Sequence, residues 1–259
     1  MSRPSKKQKP NYEPEPSSSS SSSENDSDQE ESNKQENIQI DLEARSLVDT
    51  DHSAILYFLE QSFGNSIKKS ILDPNQLAKQ LITQQSFGSV FYQPSDSTTD
   101  ETDDDDDESP VLGVCSLLPF DQQQNKQIHS WLLDKCSDNG QAKNILHDTR
   151  CGLFINERYM NIPAEISLPA IRTLRLEMSF ELDYWIVHAK LRLNTSDTST
   201  IYYVNGEEEI FQQYSTLCID YNPAQSNNNN EWTHRRRIIF VSTNKLDEIC
   251  SNIEQKLKI

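Results

Sequence analysis

The chain has 259 residues, a formal net charge of −17, and 34% hydrophobic residues. This length suits one large domain or two small ones. The acidity argues against DNA or RNA as a direct ligand, because phosphate binding needs a basic surface, and it favours basic proteins as partners. No run approaches the roughly 18 apolar residues that span a bilayer, so we expect no membrane partner.

The negative charge is unevenly distributed. Residues 1–37 carry a net charge of −3, seven consecutive serines and almost no apolar side chain, which predicts a disordered tail. Residues 93–109 hold nine acidic residues and no basic one, which predicts a disordered acidic loop. The remaining chain carries only −5. We therefore predict a single globular domain at 38–259, interrupted by the loop at 93–109.

The tail begins with a short basic cluster that is typical of a nuclear localisation signal and is also common by chance. Its residues are Arg3, Lys6, Lys7 and Lys9. The five cysteines are scattered and never spaced as C-x-x-C, and no apolar signal segment precedes the domain. These features indicate free thiols in a reducing, intracellular compartment, and the basic cluster favours the nucleus.

The hydrophobic pattern predicts the first half of the domain in chain order. Alternation over residues 38–42 indicates a strand. Two helices follow, the first capped by Asp51 and the second by Asp73, which precedes a proline. Strands at 89–92 and 111–118 then flank the acidic segment, which we interpret as a long hairpin connection.

The second half is richer in strands. The spacing predicts a helix around Trp131, a short helical turn at 144–147 and a helix starting near Ser167. Strands are predicted, in chain order, at 152–156, 185–193, 200–204, 217–221 and 237–241. A helix over 246–257 closes the chain. This order predicts the α+β class, with an α/β-like mixed sheet and helices on both of its faces.

A strand, two helices, two strands and a helix is also how the GNAT acetyltransferase fold begins. Enzymes of that fold hold the coenzyme A pyrophosphate on backbone amides of a glycine-rich loop. Here the corresponding loop, LLPFDQQQNKQ at 117–127, has no glycine and contains Asp121, which would repel a phosphate. We predict a GNAT-like fold that lacks the acetyl-CoA pyrophosphate loop, with no cofactor. A divergent acyltransferase is the enzymatic alternative.

Other constellations give weak signals for chemistry. His147 and Cys151 have the spacing of two zinc ligands, but no second pair lies near them in the sequence, so we predict no metal site. We interpret His188, on a predicted strand, as a surface or satisfied histidine. Three arginines in EWTHRRRIIF at 231–240 favour edge-strand solubility or pairing with the acidic loop over a nucleic-acid contact. We predict no catalytic residue.

The stretch GLFINERYMNIPAEISLP at 152–169, called here the signature block, is the most distinctive part of the chain. It either determines the fold or contacts a partner. We expect Gly152 to allow close strand approach, Glu157 and Arg158 to form an ion pair, Pro163 to hold an extended path and Pro169 to launch a helix.

The signature block resembles the BCCIP family, whose members read G-L-L-x-S-E-R-[FY]-x-N-[VI]-P-x-[EQ]-I-[AS]-x-P in this region. The matching positions that we single out are Gly152, Glu157, Arg158, Asn161, Pro163 and Pro169. Flanking segments, including NGEEEIFQQYSTLCIDYN and RRRIIFVSTNKLDEICSNIEQKL, are similar to family segments in the same order, so the resemblance covers 38–257. The chain departs from the family at MSFELDYW and NTSDTST, where longer segments are missing.

The resemblance implies a eukaryotic, mainly nuclear binding protein with a GNAT-like fold and no acetyltransferase activity. Fungal members of the family accompany a large-subunit ribosomal protein and assist the nuclear export of a lipid kinase, while the animal protein binds a recombination mediator and a cyclin-dependent-kinase inhibitor. Our hypothesis is a nuclear escort for a basic ribosomal protein, supporting ribosome biogenesis and nuclear export; a cell-cycle and DNA-repair adaptor is the alternative. The expected partner-binding residues, which could also be a solubilising spacer, are Asp103, Asp104, Asp105, Asp106, Asp107 and Glu108.

Overall fold

The computed structural model describes residues 41–64, 72–84, 87–94, 109–194, 196–197, 200–223 and 232–257, which all fall within one compact unit. The tail at 1–37 and the acidic residues 95–108 lie outside the described residues. The predictions made for them therefore stay predictions.

Among the described residues, eight strands form one sheet: β1 (Glu43–Ser46), β2 (Ser89–Tyr92), β3 (Val111–Phe120), β4 (Cys151–Arg158), β5 (Tyr184–Asn194), β6 (Ile201–Tyr203), β7 (Leu217–Tyr221) and β8 (Trp232–Ser242). The spatial order is β1-β2-β3-β4-β5-β8-β7, and β6 also pairs with β5. Strands β4 and β5 are parallel, whereas the other pairs are antiparallel. The predicted mixed sheet is confirmed.

In the described part of the chain, seven α-helices cover the sheet: α1 (His52–Phe63), α2 (Pro74–Thr83), α3 (Lys126–Lys135), α4 (Gly140–Asp148), α5 (Ser167–Glu177), α6 (Gly206–Gln213) and α7 (Leu246–Lys256). Because strand side chains alternate between faces, the sheet carries two apolar cores. One core takes residues from α1 to α4, and the other takes residues from α5, α6 and α7. Helices therefore lie on both faces, as predicted.

Local chemistry explains where two of the helices begin. Asp73 accepts a hydrogen bond from the Asn75 backbone N–H at 3.0 Å, and Pro74 occupies the first helical position of α2, as the sequence predicted. Asn139 caps α4 by accepting from the Ala142 N–H at 2.9 Å. This cap makes α4 a nine-residue helix and not the short turn predicted at 144–147.

The first described strand, Glu43–Ser46, was not predicted, because β1 is an edge strand whose partly exposed residues show no apolar alternation. The strand predicted at 38–42 lies mostly outside the described residues and stays a prediction there. Helix α6 was missed, since its eight residues begin with a glycine and three glutamates and offer only Ile210 and Phe211 as an apolar face. Both of those side chains are buried.

The acidic segment joins two neighbouring strands, because Tyr92 at the end of β2 pairs with Val111 at the start of β3.

All five cysteines are free. Among the described residues, no helix is long and apolar enough to cross a membrane.

Candidate functional site

Strands β4 and β5 separate partway along their length. They pair in parallel from Cys151 opposite Tyr184 to Phe154 opposite Val187, and no further. Beyond that point β6 pairs with β5 over residues 191–193. The residues that fill the opening are polar, and we call them the charge cluster: Asn156, Glu157, Arg158, Lys190, Asn205, Glu207 and Glu208.

Glu207, at the start of α6, ties this helix to β4. Its carboxylate accepts from Arg158 Nη1 at 2.5 Å and from Arg158 Nη2 at 3.0 Å. The same carboxylate accepts from Asn156 Nδ2 at 2.6 Å. Both charged side chains are almost fully buried, at 6% and 1% exposure. Such a two-pronged, charge-assisted contact fixes the position of α6 against the sheet.

Glu157 has a different partner. Its carboxylate accepts a hydrogen bond from the Lys190 ammonium on β5, on the far side of the opening. The structure thus corrects the expected ion pair between Glu157 and Arg158. Successive side chains on a strand point to opposite faces, so neighbours in sequence are directed apart.

Glu208 completes the cluster. Burial, together with the negative charges of Glu157 and Glu207, holds the pKa of Glu208 well above its ordinary value. It is hydrogen-bonded by Asn205 Nδ2 at 2.9 Å and by the Lys190 backbone N–H at 3.3 Å. The other two carboxylates, Glu157 and Glu207, pair with Lys190 and Arg158.

The charge cluster leaves no room for a substrate. The space remaining between its side chains, Phe63 and His188 is about 10 Å³. A single water molecule needs roughly that much. The cluster can therefore hold two strands and a helix together, but it cannot admit a small molecule.

His188, beside the cluster, is buried and satisfied. Its ring stacks on Phe63 with centroids 4.7 Å apart. Nδ1 lies 3.2 Å from Ser62 Oγ, and Nε2 lies 2.8 Å from the Tyr221 hydroxyl. Burial and the nearby cations Arg236 and Lys190 hold its pKa well below the usual value. This neutral histidine matches the satisfied role expected from sequence.

In the loop between β3 and α3, the Asp121 carboxylate engages backbone donors of the loop itself. The Asp121 carboxylate accepts from the backbone N–H groups of Gln123 and Gln124 at 2.6 and 2.5 Å. These bonds lower the pKa of Asp121. A pyrophosphate at this loop would meet a carboxylate that already occupies two backbone donors, so the residues present do not fit one.

The remaining residues of the signature block divide between core and surface. A Cβ at Gly152 would lie against Leu117 and 2.7 Å from Leu182 Cδ1, so the predicted close approach is present. Pro163 is extended, with φ −56° and ψ 140°, and precedes the turn into α5, where Pro169 lies in the first turn. Asn161 is exposed.

Two neighbouring arginines of the 231–240 stretch, Arg236 and Arg237, form hydrogen bonds within the folded domain. Arg236 Nε donates to the Ser62 carbonyl at 2.8 Å, at the end of α1. Arg237 binds both oxygens of Asp220, at 2.5 and 2.7 Å. Edge-strand solubility is therefore the wrong explanation for these two, because they tie β8 to α1 and β7. Pairing with the acidic loop lies outside the described residues.

The remaining predictions from the sequence concern a metal site, the acidic loop and the basic cluster of the tail. Among the described residues no group of three or more potential ligands could hold a metal ion, and His147 instead lies 3.3 Å from Gln122 Nε2. The predicted partner-binding acids, Asp103 to Asp107 and Glu108, and the basic cluster of the tail lie outside the described residues. Sequence reasoning missed the roles of Lys190, Glu207 and Glu208, because nothing local in the sequence signals that they meet β4.

Comparison with known proteins identifies the family. The BCCIP family model matches residues 37–184, more than half of the chain. The chain belongs to the BCCIP family. It is 27% identical over 256 residues to "Protein BCCIP homolog" of Drosophila melanogaster, covering 85% of each chain. It is 24% identical over 268 residues to "BRCA2 and CDKN1A-interacting protein" of Bos taurus, covering 86% of this chain and 85% of that one.

A solved structure shares the fold of this BCCIP-family chain. The crystal structure of BCP1 from Saccharomyces cerevisiae aligns with a TM-score of 0.63 at 16% identity, covering 89% of this chain and 94% of that one. At this identity the likeness establishes the fold alone.

Proposed function

We propose that this protein is a non-enzymatic nuclear escort for a basic protein of the large ribosomal subunit, supporting ribosome biogenesis and nuclear export. The observation that carries the proposal is the charge distribution: residues 93–109 hold nine acids and no base, and they join two paired strands of an otherwise mildly acidic domain. The family resemblance supports this choice of client.

The physical logic is charge neutralisation. A lysine-rich ribosomal protein aggregates or captures stray RNA unless its basic surface is covered. Asp103 to Asp107 and Glu108 supply a concentrated negative charge that attracts such a surface over long range and speeds association, while the folded domain supplies specificity. Ribosomal RNA, with a far higher charge density, then displaces the escort.

Two features support a binding function over catalysis. The amides of the loop after β3 are engaged by Asp121, and the opening between β4 and β5 is filled by the charge cluster. The test is thermal unfolding of the full chain with and without acetyl-CoA. We expect the midpoint to stay unchanged, whereas a concentration-dependent rise would support the divergent acyltransferase.

The escort is tested by stopped-flow association with a fluorescently labelled, lysine-rich large-subunit ribosomal protein. One variant replaces Asp103 to Asp107 with Asn and Glu108 with Gln, which keeps the chain length. We expect its association rate at low salt to be about tenfold lower than that of the unmodified chain, and the difference to vanish at high salt. A matched control neutralises six acids of the tail: Glu24, Asp26, Asp28, Glu30, Glu31 and Glu36. Equal rates for all three proteins at low salt would contradict the proposal.

A cell-cycle and DNA-repair adaptor is the second candidate, favoured by the name of the bovine relative, "BRCA2 and CDKN1A-interacting protein". Affinity purification of the full chain from nuclear extract at physiological salt, followed by mass spectrometry, separates the two. A ribosomal protein in stoichiometric amount supports the escort. A recombination mediator or a cyclin-dependent-kinase inhibitor in that amount supports the adaptor, and a lipid kinase would extend the cargo set.

Nuclear localisation is part of the proposal and rests on the basic cluster of the tail. Replacing Arg3, Lys6, Lys7 and Lys9 with Ala in a fluorescent fusion is expected to shift the protein towards the cytoplasm. An unchanged nuclear signal would show that the cluster is not the targeting element.

A further inference from the structure

An exposed surface rich in aromatic side chains lies at the end of the sheet where β4 and β5 separate. It combines residues from α1, from the turn after β4, and from β5, β6 and β8. We call it the arginine–aromatic surface, and it consists of Tyr57, Tyr159, Met160, Arg192, Tyr202, Trp232 and His234.

Contacts make this surface continuous. The rings of Tyr57 and Tyr159 lie 5.7 Å apart between centroids. Arg192 Nη2 lies 3.8 Å from the Met160 sulfur. In the sheet, Arg192 is opposite Tyr202 on one side and His234 on the other. The rings of Tyr202 and Trp232 meet edge-on at 5.1 Å, which places both on the same face of β5 as Arg192.

Arg192 differs from Arg158 and Arg237, although the neighbouring Arg235 shares its unpartnered Nε. Arg158 and Arg237 each bind both oxygens of a carboxylate. Arg192 has no carboxylate within 4 Å among the residues that the structure describes, and its buried Nε has no hydrogen-bond partner there. Because this Nε is buried, a carboxylate of a partner would pair with the two Nη groups of the guanidinium in a two-pronged contact.

We infer that the arginine–aromatic surface docks an acidic, amphipathic segment of a partner protein. Tyr, Trp, Met and Arg are the side chains enriched at the centres of protein interfaces. A carboxylate of the partner pairs with Arg192, while its apolar side chains cover Met160 and Tyr202. Met160 is 79% exposed and lies beside Arg192, so a partner's apolar side chain can reach it.

The chain's own acidic segment does not suit this role. Residues 95–108 contain no apolar side chain, so they could pair with Arg192 but could not cover the exposed rings or Met160. A net charge of −17 disfavours a nucleic acid, although stacked aromatic rings beside an arginine are also found in single-strand binders. The occupant is therefore a second partner class, opposite in sign to the basic client, and the inference does not depend on the escort function.

The test measures fluorescence anisotropy of a short fluorescein-labelled peptide that alternates Glu with Leu and Phe, titrated with the full chain. We expect saturable binding. Arg192→Glu should weaken it about tenfold or more, because an attraction becomes a repulsion. Met160→Ala should weaken it about threefold through lost apolar contact.

Two matched controls lie on α5, whose apolar side packs against the opposite face of the sheet. Arg172→Glu reverses a charge at an exposed ion pair with Glu254, and Leu176→Ala truncates a side chain that is 88% exposed. Both are expected to leave peptide affinity within about twofold, since neither touches the surface. Circular dichroism confirms that each variant is folded.

Four outcomes would overturn the inference. The first is that the wild-type chain does not bind the peptide, and the second is that the α5 controls weaken binding as much as the surface variants. The third is that binding appears only after residues 95–108 are deleted, which would assign the surface to the chain's own acidic segment. The fourth is that a single-stranded RNA oligonucleotide binds more tightly than the peptide and loses affinity with Arg192→Glu.

Discussion

The signature block contains two regions with opposite chemistry. Residues 152–158 form a buried strand in which every charged group meets a partner: Arg158 binds Glu207, and Glu157 binds Lys190. The next residues, Tyr159, Met160 and Asn161, are exposed. A short sequence thus first fixes the fold and then presents side chains to solvent.

The same contrast appears between two arginines. Arg158 is buried and its guanidinium is held by one carboxylate, whereas Arg192 reaches Met160 and meets no carboxylate among the described residues. A buried charge is tolerated only when it is paired, so Arg158 is committed to the fold. An arginine at the surface without a carboxylate partner remains available to bind one. Each prediction below changes one side of this contrast.

The largest loss of stability is expected for Arg158→Leu. The change leaves the Glu207 carboxylate buried without its main partner, which costs about 3–5 kcal/mol in the free energy of unfolding. Urea denaturation followed by circular dichroism measures the loss. Much of it should return in the double variant with Glu207→Gln, because the unpaired charge is then gone. A double variant no more stable than Arg158→Leu would show that the ion pair is not what Arg158 contributes.

Gly152→Ala is expected to cost less, about 1–3 kcal/mol. The new methyl group would lie against Leu117 and Leu182, and these side chains can move only by disturbing a packed core. Gly140→Ala is the matched control, since nothing lies within 4 Å of a Cβ at that position. Its midpoint of urea denaturation should stay level or rise slightly, because alanine favours a helix. Equal losses at both glycines would rule out the close approach as the cause.

Glu208→Gln tests the raised pKa of Glu208 in the charge cluster. Because the folded-state pKa of Glu208 lies well above 4.5, the native protein holds a proton that the unfolded chain releases. Wild-type stability should therefore fall as pH rises from about 4.5 towards the folded pKa, by up to about 1.4 kcal/mol per pH unit. Glu208→Gln should lose this slope and gain stability relative to wild type as the pH rises above about 4.5.

The control for that slope is on the same helix. Glu209→Gln changes an exposed glutamate of α6 and should keep the wild-type dependence on pH. Urea denaturation at several pH values gives the curves. If the Glu208→Gln curve ran parallel to that of wild type, Glu208 would be ionised in the folded protein and the charge balance of the cluster would be different.

The fold could be predicted from sequence where a local signal exists. Apolar alternation over residues 185–193 and the Asp73 cap with its proline both gave the correct element. Helix α6 could not be predicted this way, since three glutamates at its start resemble a solvated turn and two of them are buried only because Asn156, Arg158 and Lys190 surround them. Contacts with residues distant in the sequence therefore determine helix α6.

The site was predictable to a similar extent. The acidic residue and the lack of glycine in the loop after β3 were visible in the sequence, and Asp121 engages the loop amides as its charge suggested. The partners of Glu157 and Arg158 were not visible, since Lys190 and Glu207 lie 33 and 49 residues away along the chain. Adjacent opposite charges favoured a local pair, and strand alternation forbids it.

The smallest effect on stability is expected for Met160→Ala. The side chain is 79% exposed and its polar contact is one 3.8 Å approach to Arg192, so its truncation should change the free energy of unfolding by less than about 0.5 kcal/mol. Yet the same change should weaken binding of the acidic, amphipathic peptide about threefold, whereas Leu176→Ala, equally neutral for stability, should not. Arg158→Leu should instead cause a large loss of stability. If Met160→Ala destabilised the fold as Gly152→Ala does, the exposed half of the signature block would belong to the core after all, and the division between the two regions would fail.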